Sequence, residues 1–538
     1  MQIHFKNILS SFPILIIVGI WPFVNFFIQN KGEAYDFNPL YVYAVLFVFF
    51  LLTTLAFTAV IFHKYKKPIF WACLISVCSI LFTTFQPFSE FLIFFGISRP
   101  KYILLCWIFL FLLIVYLFYI ALTNQSFLRF FKIAVYTLGA VSILNLAVVF
   151  YPNLKNYILE NKTDFSSKSI DVVVDDIETL PNIYHFILDE YGREDYLKKV
   201  LGFDNSEFLG DMKKYGFYTA NESSSNYIMT NLSILSLLSM KHPYSLGEGG
   251  TKFPKVSVNY YEAKHGKGEA IIRLKGLGYK YIYAFANGKV GGQCPKDVYL
   301  CIGGEGGVSE LEVALLRMTP LLFPLQAITR DLMNYTVLTP QHVVNKLPAA
   351  NEGPFFLFAH LLMPHAPWVW NEDCSYKNDA PKHWALIANL RWSISLPKKI
   401  AMKYYVDNLK CTNIRIKQAV KNVVNNDPEA IIIIQGDHGT WFTNLSDDKE
   451  FKPIKDWSEE EFKERFSILN MFRFPEKCRK YLYPSITLVN TFPVVMACLT
   501  KKNPILEKDM LIGKTYAGID KDNVYVFSDK SNLQPIFE

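Results

Sequence analysis

The sequence predicts a two-part chain: five membrane-spanning helices, then an exported α/β domain with a mainly parallel central sheet. Three observations predict it. Apolar residues make up 51% of the 538 positions, and residues 1–151 gather them into five long runs. Beyond residue 180, short runs rich in Ile, Phe and Tyr stop abruptly at Asp, Glu or His and alternate with stretches of helical period. Six of the nine cysteines lie in that later part. Short continuous apolar runs suit strands buried on both faces, the condition of a parallel sheet covered by helices. The boundaries expected are a transmembrane domain at 1–151, a juxtamembrane linker at 152–180 and a catalytic domain at 181–538.

The apolar runs cover 8–29, 39–62, 69–88, 102–122 and 128–151. Each approaches the ~20 residues that cross a bilayer as a helix. The first lacks a clear small-residue cleavage site and more spans follow it, so a cleaved leader is not expected. Lys64, Lys66 and Lys67 join runs two and three, and Arg129 and Lys132 stand between runs four and five. Such loops stay in the cytoplasm. With five spans and the N-terminus inside, everything after Tyr151 lies outside the cytoplasm. The net charge of +7 divides unevenly, for residues 1–151 hold nine Lys/Arg against three Asp/Glu. The excess is a topology and lipid-surface feature and gives no reason to invoke nucleic acid. Almost no charge lies within the spans, which disfavours a transporter.

Cys73, Cys78 and Cys106 fall in the spans and read as small hydrophobes. Cys294, Cys301, Cys374, Cys411, Cys478 and Cys498 form an even set in an exported domain, which suggests disulfides. The pairing expected is 294–301, 374–411 and 478–498; the short loop supports the first. Zinc ligation by these thiols is the rival reading, weakened by the lack of a CxxC pair.

In chain order, Pro181 opens the compact domain. Ile183 to Leu188 read as a strand ending at Asp189-Glu190, with His185 inside it as a core histidine. Glu207–Tyr215 reads as a short helix. Thr219–Met240 begins as a polar loop and turns helical at Thr230, with Leu232, Leu235 and Leu238 on one face. Thr230 then sits near a helix N-terminus, where free N–H groups favour an anion. It is either a helix cap or a hydroxyl made acidic by its position. Tyr279–Asn287 is a strand, and 288–307 a Gly-rich loop. Ser309–Leu325 reads as a core helix or a membrane-surface segment. Phe355 to Ala359 form a third strand with His360 and His365 following. Ile400–Asn425 is an amphipathic helix. It leads to Ile431–Gly439, IIIIQGDHG, a buried strand that presents Asp437 and His438 at its carboxyl end. Open α/β sheets bind ligands there. The Asp-His pair is either a set of metal ligands or a turn whose Asp caps a helix. Residues 441–470 read as charged and loop-rich, Ser485–Leu499 as a helix, and Val524–Phe527 as a strand.

Four distant segments thus supply what a hydrolytic metal site requires. A divalent ion on Asp189, Asp437 and His438 would lie beside Thr230 and activate its hydroxyl. His360 and His365 would bind a phosphoryl oxygen or protonate the leaving group.

The order of these segments resembles the alkaline-phosphatase/sulfatase superfamily, specifically the five-span enzymes that include lipoteichoic acid synthases and phosphoethanolamine transferases. PNIYHFILDEYG is similar to the sulfatase opening strand with its metal-binding acid at Asp189. MTNLSILSLLS resembles the transferases' nucleophile turn at Thr230. HLLMPHAPW shares their His-x4-His-x-Pro spacing, GDHG their Asp-His metal pair, and LYPSITLVNTFPVV a late segment of membrane sulfatase-like proteins. The resemblance spans about residues 181–500 and implies an alkaline-phosphatase-like fold. It implies one divalent metal ion (Mn, Zn or Mg, with Ca the least favoured) on Asp189, Thr230, Asp437 and His438. Glu190 is an additional candidate for metal or substrate, since some sulfatases use a second acid there. The catalytic residues implied are Thr230, His360 and His365, and no organic cofactor is implied.

The implied activity is transfer of a phospholipid-derived head group, phosphoglycerol or phosphoethanolamine, through a phosphothreonine-type intermediate. A membrane phospholipid is the donor and an envelope glycan or lipid the acceptor. The implied location is a bacterial cytoplasmic (inner) membrane, multi-pass, with the C-terminal domain in the periplasm or outside the cell. The C/S-x-P-x-R signature that sulfatases convert to formylglycine does not occur, which disfavours sulfate-ester hydrolysis. A membrane-tethered phosphodiesterase or phosphatase would use the same residues, and a non-catalytic lipid-binding regulator of the envelope is the third reading.

Overall fold

The computed structural model describes mainly residues 68–160, 180–246, 252–285, 298–303, 338–380, 396–445, 454–513 and 525–527. The chain divides into two compact units, Met1–Lys168 with Val308–Met333, and Ser169–Gly307 with Asn334–Glu538.

The first unit holds α1 (Pro68–Thr83), α2 (Phe85–Phe94), α3 (Pro100–Thr123) and α4 (Gln125–Glu160). Residues 101–123 of α3 are long and apolar enough to cross a bilayer, and only 6% of that span is buried. Leu105, Phe109, Leu112 and Tyr116 stand exposed along it, as a lipid-facing helix requires. The third apolar run is bent by 48° between α1 and α2. Pro87, in the first turn of α2, has no N–H to give the preceding turn. Phe85 N bonds Met318 O instead of continuing the ladder. Among the described residues one helix is therefore long and apolar enough to cross a membrane, or two if the bent pair counts as one span. The five spans expected are not established: most of runs one and two lies outside the described residues.

The second unit is built on a seven-stranded sheet. Its strands are β1 (Ile183–Leu188), β2 (Tyr218–Thr219), β3 (Lys280–Phe285), β4 (Leu300–Ile302), β5 (Phe355–Leu361), β6 (Ile431–Gly436) and β7 (Asn470–Arg473). Across the sheet they run β2, β7, β6, β1, β5, β3, β4. β7 alone runs against the rest, so the sheet is mainly parallel, as expected. β4 lies within the stretch expected to be loop, where Val298–Ile302 is apolar enough to pair at the sheet edge.

The Ile run shows why β6 is central. Ile432 and Ile434 pack into the core under α5 (Glu194–Leu201), α6 (Ser206–Lys214) and the long α9 (Lys398–Asn426). Ile431 and Ile433 pack on the opposite face, against α7 (Thr230–Ser239), α8 (Glu269–Gly276) and α11 (Thr491–Thr500). Each fully buried Ile contributes roughly 1.5–3 kcal/mol. His185, on the second face, is fully buried between Phe358 and Phe492, with Nε2 2.8 Å from Gln435 Oε1. It is the core histidine expected. The C-terminal strand is Tyr525–Phe527, paired with Leu511–Gly513.

Disulfides join Cys374 to Cys411 and Cys478 to Cys498, the two pairings expected there. The first ties the loop after β5 to α9, and the second ties a 3-10 segment to α11. Cys301 is also disulfide-bonded; Cys294 lies outside the described residues, as does most of Ser309–Leu325.

Candidate metal centre

Strand register assembles the site. Leu188 of β1 pairs with Leu361 of β5 and with Gly436 of β6. One step further, Asp189 and Asp437 come level at adjacent strand ends, and His360 stands one step back on the other side. Asp189 N donates to Leu361 O at 3.0 Å, and His365 N donates to Asp189 O at 3.0 Å, so the loop after β5 folds back onto the Asp189 backbone. One ligand atom from each of Asp189, His360 and Asp437 can be chosen so that all three lie within 4.8 Å of one another.

The glycines of GDHG are there for space. A Cβ on Gly436 would collide with Tyr191 O, and one on Gly439 with the carbonyls of Glu464 and Ser467. Asp437 Oδ1 accepts from the backbone N–H of Glu190 (3.0 Å) and of His438 (2.9 Å). Asp437 is thus fixed by its own neighbourhood and caps no helix. Glu190 adopts a left-handed backbone (φ 63°), uncommon for a residue with a side chain. Tyr405 on α9 donates to its carbonyl at 2.7 Å.

Thr230 is the first residue of α7, and Met229 takes the capping position, so the cap reading of Thr230 is set aside. Its Oγ1 lies 3.1 Å from His438 Nε2. The same nitrogen is 3.4 Å from Asp437 Oδ2 and 3.6 Å from Asp189 Oδ1. His360 Nε2 approaches Asp189 Oδ2 to 3.4 Å from the other side. His365 Nε2 is 4.0 Å from Glu190 Oε2, and its side chain is 26% exposed. The structure therefore brings together all seven residues expected at the site. His360, expected as a substrate contact, belongs to the compact group of ligand atoms.

Burial drives most of the electrostatics. It pushes the Asp189 carboxyl up, but His365, His360 and His438 outweigh it and hold the group below the usual carboxylate range. Burial raises Glu190 to about 7, against the opposing pull of His365 and Arg465. Burial and the Arg465 charge lower His438 to about 4. For His365, burial lowers the value, but the Asp189 and Glu190 carboxylates prevail and raise it.

Asp189 Oδ1, Asp437 Oδ2, both Glu190 oxygens and His360 Nε2 are buried without a hydrogen bond among the described residues. Burying carboxyl oxygens without a hydrogen bond is costly unless a cation answers them. Carboxylate oxygens beside imidazole nitrogens are a donor set that suits Zn and Mn. The residues present fit a divalent cation.

Two residues of the site escaped the sequence. They are Glu464 and Arg465 on α10 (Glu459–Phe466), within the stretch expected to be loop-rich. Glu464 accepts from Thr440 Oγ1, Phe442 N and Thr443 N at 2.5–2.8 Å. Arg465 places one nitrogen 3.2 Å from His438 Nε2 and another 3.6 Å from Glu190. Ser458 and Glu461 form a capping box ahead of Phe462 and Phe466, the signal that marks this helix.

No family model matches the chain, and no curated protein matches it. Among solved structures it is similar to the integral membrane lipooligosaccharide phosphoethanolamine transferase A (EptA) of Neisseria meningitidis. That likeness has 12% identity over 92% of this chain and 97% of that one, with a TM-score of 0.39. The C-terminal periplasmic domain of EptC from Escherichia coli, in complex with zinc, matches at 10% identity over 64% of this chain and 93% of that one, TM-score 0.38. The corresponding domain of phosphoethanolamine transferase EptC from Campylobacter jejuni matches at 15% over 62% and 98%, TM-score 0.35. Phosphoethanolamine transferases are thus among the structures that this chain resembles. These TM-scores lie below 0.5 and assign no role to any residue.

Proposed function

We propose that this chain is a membrane-tethered, metal-dependent phosphotransferase. It moves a phospholipid-derived head group, phosphoglycerol or phosphoethanolamine, onto an extracytoplasmic glycan or lipid by way of a phosphothreonine at Thr230. One observation carries the reading: the Thr230 hydroxyl lies 3.1 Å from His438, beside the buried group of Asp189, His360 and Asp437.

A divalent cation held by Asp189, Asp437 and His438, with Thr230 or His360 completing the set, supplies Lewis-acid stabilisation of negative charge. Thr230 sits where the free N–H groups of α7 favour negative charge on its oxygen. In the first half-reaction the Thr230 Oγ1–P bond forms as the P–O bond to the diacylglycerol oxygen breaks. The Thr230 proton leaves to solvent beforehand; His360 or His365 then gives the departing oxygen its own proton and stays neutral until the second half-reaction. In the second half-reaction an acceptor hydroxyl attacks phosphorus, gives its proton to the same imidazole, and releases Thr230. The apolar span at 101–123 supports the tether, which keeps the site near a lipid donor. Five spans, with the second unit on the outer side of a bacterial inner membrane, complete the proposal. The loop lysines and the disulfides support that placement.

The test is peptide mass spectrometry of purified protein incubated with Mn²⁺ or Zn²⁺ and mixed phospholipids. A phosphoglycerol or phosphoethanolamine adduct on the peptide containing Thr230, absent from Thr230→Ala, is the expected result. Bound metal without an adduct would favour hydrolysis. Neither metal nor adduct would favour a lipid-binding regulator.

A further inference from the structure

We propose that Arg465 is a positioning residue that sets the approach of Thr230 to His438 by tying the chain before one to the chain after the other. The inference rests on the site reading given above and adds a residue to it. Arg465 is 7% exposed. Its Nε donates to Ile228 O at 2.9 Å, two residues before Thr230. Its Nη1 donates to Gly439 O at 2.7 Å, one residue after His438. Its remaining nitrogen stands 3.2 Å from His438 Nε2, the atom that faces the Thr230 hydroxyl. One planar group therefore spans two segments about 210 residues apart in sequence, the same two that meet at Thr230 and His438.

The anchor is itself anchored. α10 is held at its start by the Ser458–Glu461 capping box. On the other side of the same loop, Glu464 takes two backbone N–H groups and the Thr440 hydroxyl. Glu464 thus fixes the loop alone, whereas Arg465 fixes the loop and the Thr230 segment together. A lysine cannot replace it, since an ammonium lacks the rigid fork that serves two carbonyls at fixed separation.

The experiment uses the full chain in nanodiscs and compares wild type, Arg465→Lys, Arg465→Ala and Glu464→Gln. Hydrogen–deuterium exchange reads the segments 226–232 and 437–445, and Co²⁺ titration reads the absorption spectrum and affinity of the metal centre. In Arg465→Lys, which keeps the charge, both segments should exchange faster while the far-UV circular dichroism matches wild type, and Co²⁺ affinity should fall roughly 10- to 100-fold with a shifted visible band. In Glu464→Gln only 437–445 should exchange faster. Unchanged exchange at 226–232 in Arg465→Lys, or a wild-type cobalt spectrum, would overturn the inference. Should Arg465→Ala fail to fold, the lysine variant decides. Wild-type protein that takes up no Co²⁺, yet shows coupled exchange of both segments, would overturn the metal reading and leave the tie through Arg465 standing.

Discussion

Asp437 has one carboxylate oxygen saturated by two N–H groups and the other bare, although the residue is wholly buried. Function explains the bare oxygen better than stability does. Asp437→Asn keeps an acceptor for both N–H groups and removes a charge from beside Asp189 and Glu190. The metal-free variant should be at least as stable as wild type in a urea melt. Its affinity for Zn²⁺ or Mn²⁺, read by titration and metal analysis, should fall about 100-fold or more, the equivalent of roughly 3 kcal/mol. A wild-type metal content in that variant would remove Asp437 from the site. Gly439→Ala should behave in the opposite way. Its new methyl meets backbone carbonyls of Glu464 and Ser467, which cannot swing aside, so a loss of at least ~2 kcal/mol is expected. A thermal midpoint equal to wild type would contradict it.

Among the elements, β1 carries a buried histidine whose protonation opposes folding. Burial holds His185 down to about 3, with the Gln435 hydrogen bond opposing in part. An unfolded histidine titrates near 6.5. Between those values the unfolded chain takes a proton that the folded chain refuses. The contribution is therefore intact above about pH 6.5 and declines as pH falls toward 3, at up to ~1.4 kcal/mol per pH unit. Urea melts from pH 7 to 4 should show a steeper acid limb for wild type than for His185→Asn; parallel limbs would refute the assignment. The elements also show what a sequence can reveal. β1 and β6 were legible because Ile and Phe on both faces leave no solvent side. The ends of those strands gave Asp189, Asp437 and His438 directly. α10 was not legible because six of its eight residues are charged, which reads as a solvated run. In the folded chain Glu461, Glu464 and Arg465 are buried; Glu461 closes the capping box on Ser458, and the charges of Glu464 and Arg465 are met by backbone groups of segments more distant in sequence. Only the tertiary partners distinguish such a helix from a surface one. β4 stayed hidden for a related reason: three residues among glycines become a strand only when β3 offers an edge.

For the whole molecule, the disulfides mark where the second unit can mature. They close loops of 37 and 20 residues, and such loops stabilise by roughly 3–4 kcal/mol each on the chain-entropy estimate. Replacing Cys374 and Cys411 with Ser should lower the unfolding free energy from urea melts by that amount, and the midpoint with it. A reducing agent should cost wild type more than this, because it also opens Cys478–Cys498, and should cost the double variant less than it costs wild type. An unchanged midpoint would mean that the 374–411 bond is dispensable. The spread of the site along the chain has a further consequence, for protein synthesis. Asp189 leaves the ribosome early, whereas Asp437 and the clamp at Glu464 and Arg465 come some 250 to 275 residues later. At translation rates of about 5–20 residues per second, that is a delay of at least ~12 seconds. Until then the nascent chain can offer passing metal ions only part of the proposed set: Asp189 and Glu190, then Thr230, and later His360 and His365. A polypeptide interrupted before residue 437 would lack Asp437 and His438, two of the residues proposed to hold the cation, and so should be inert before quality control reached it.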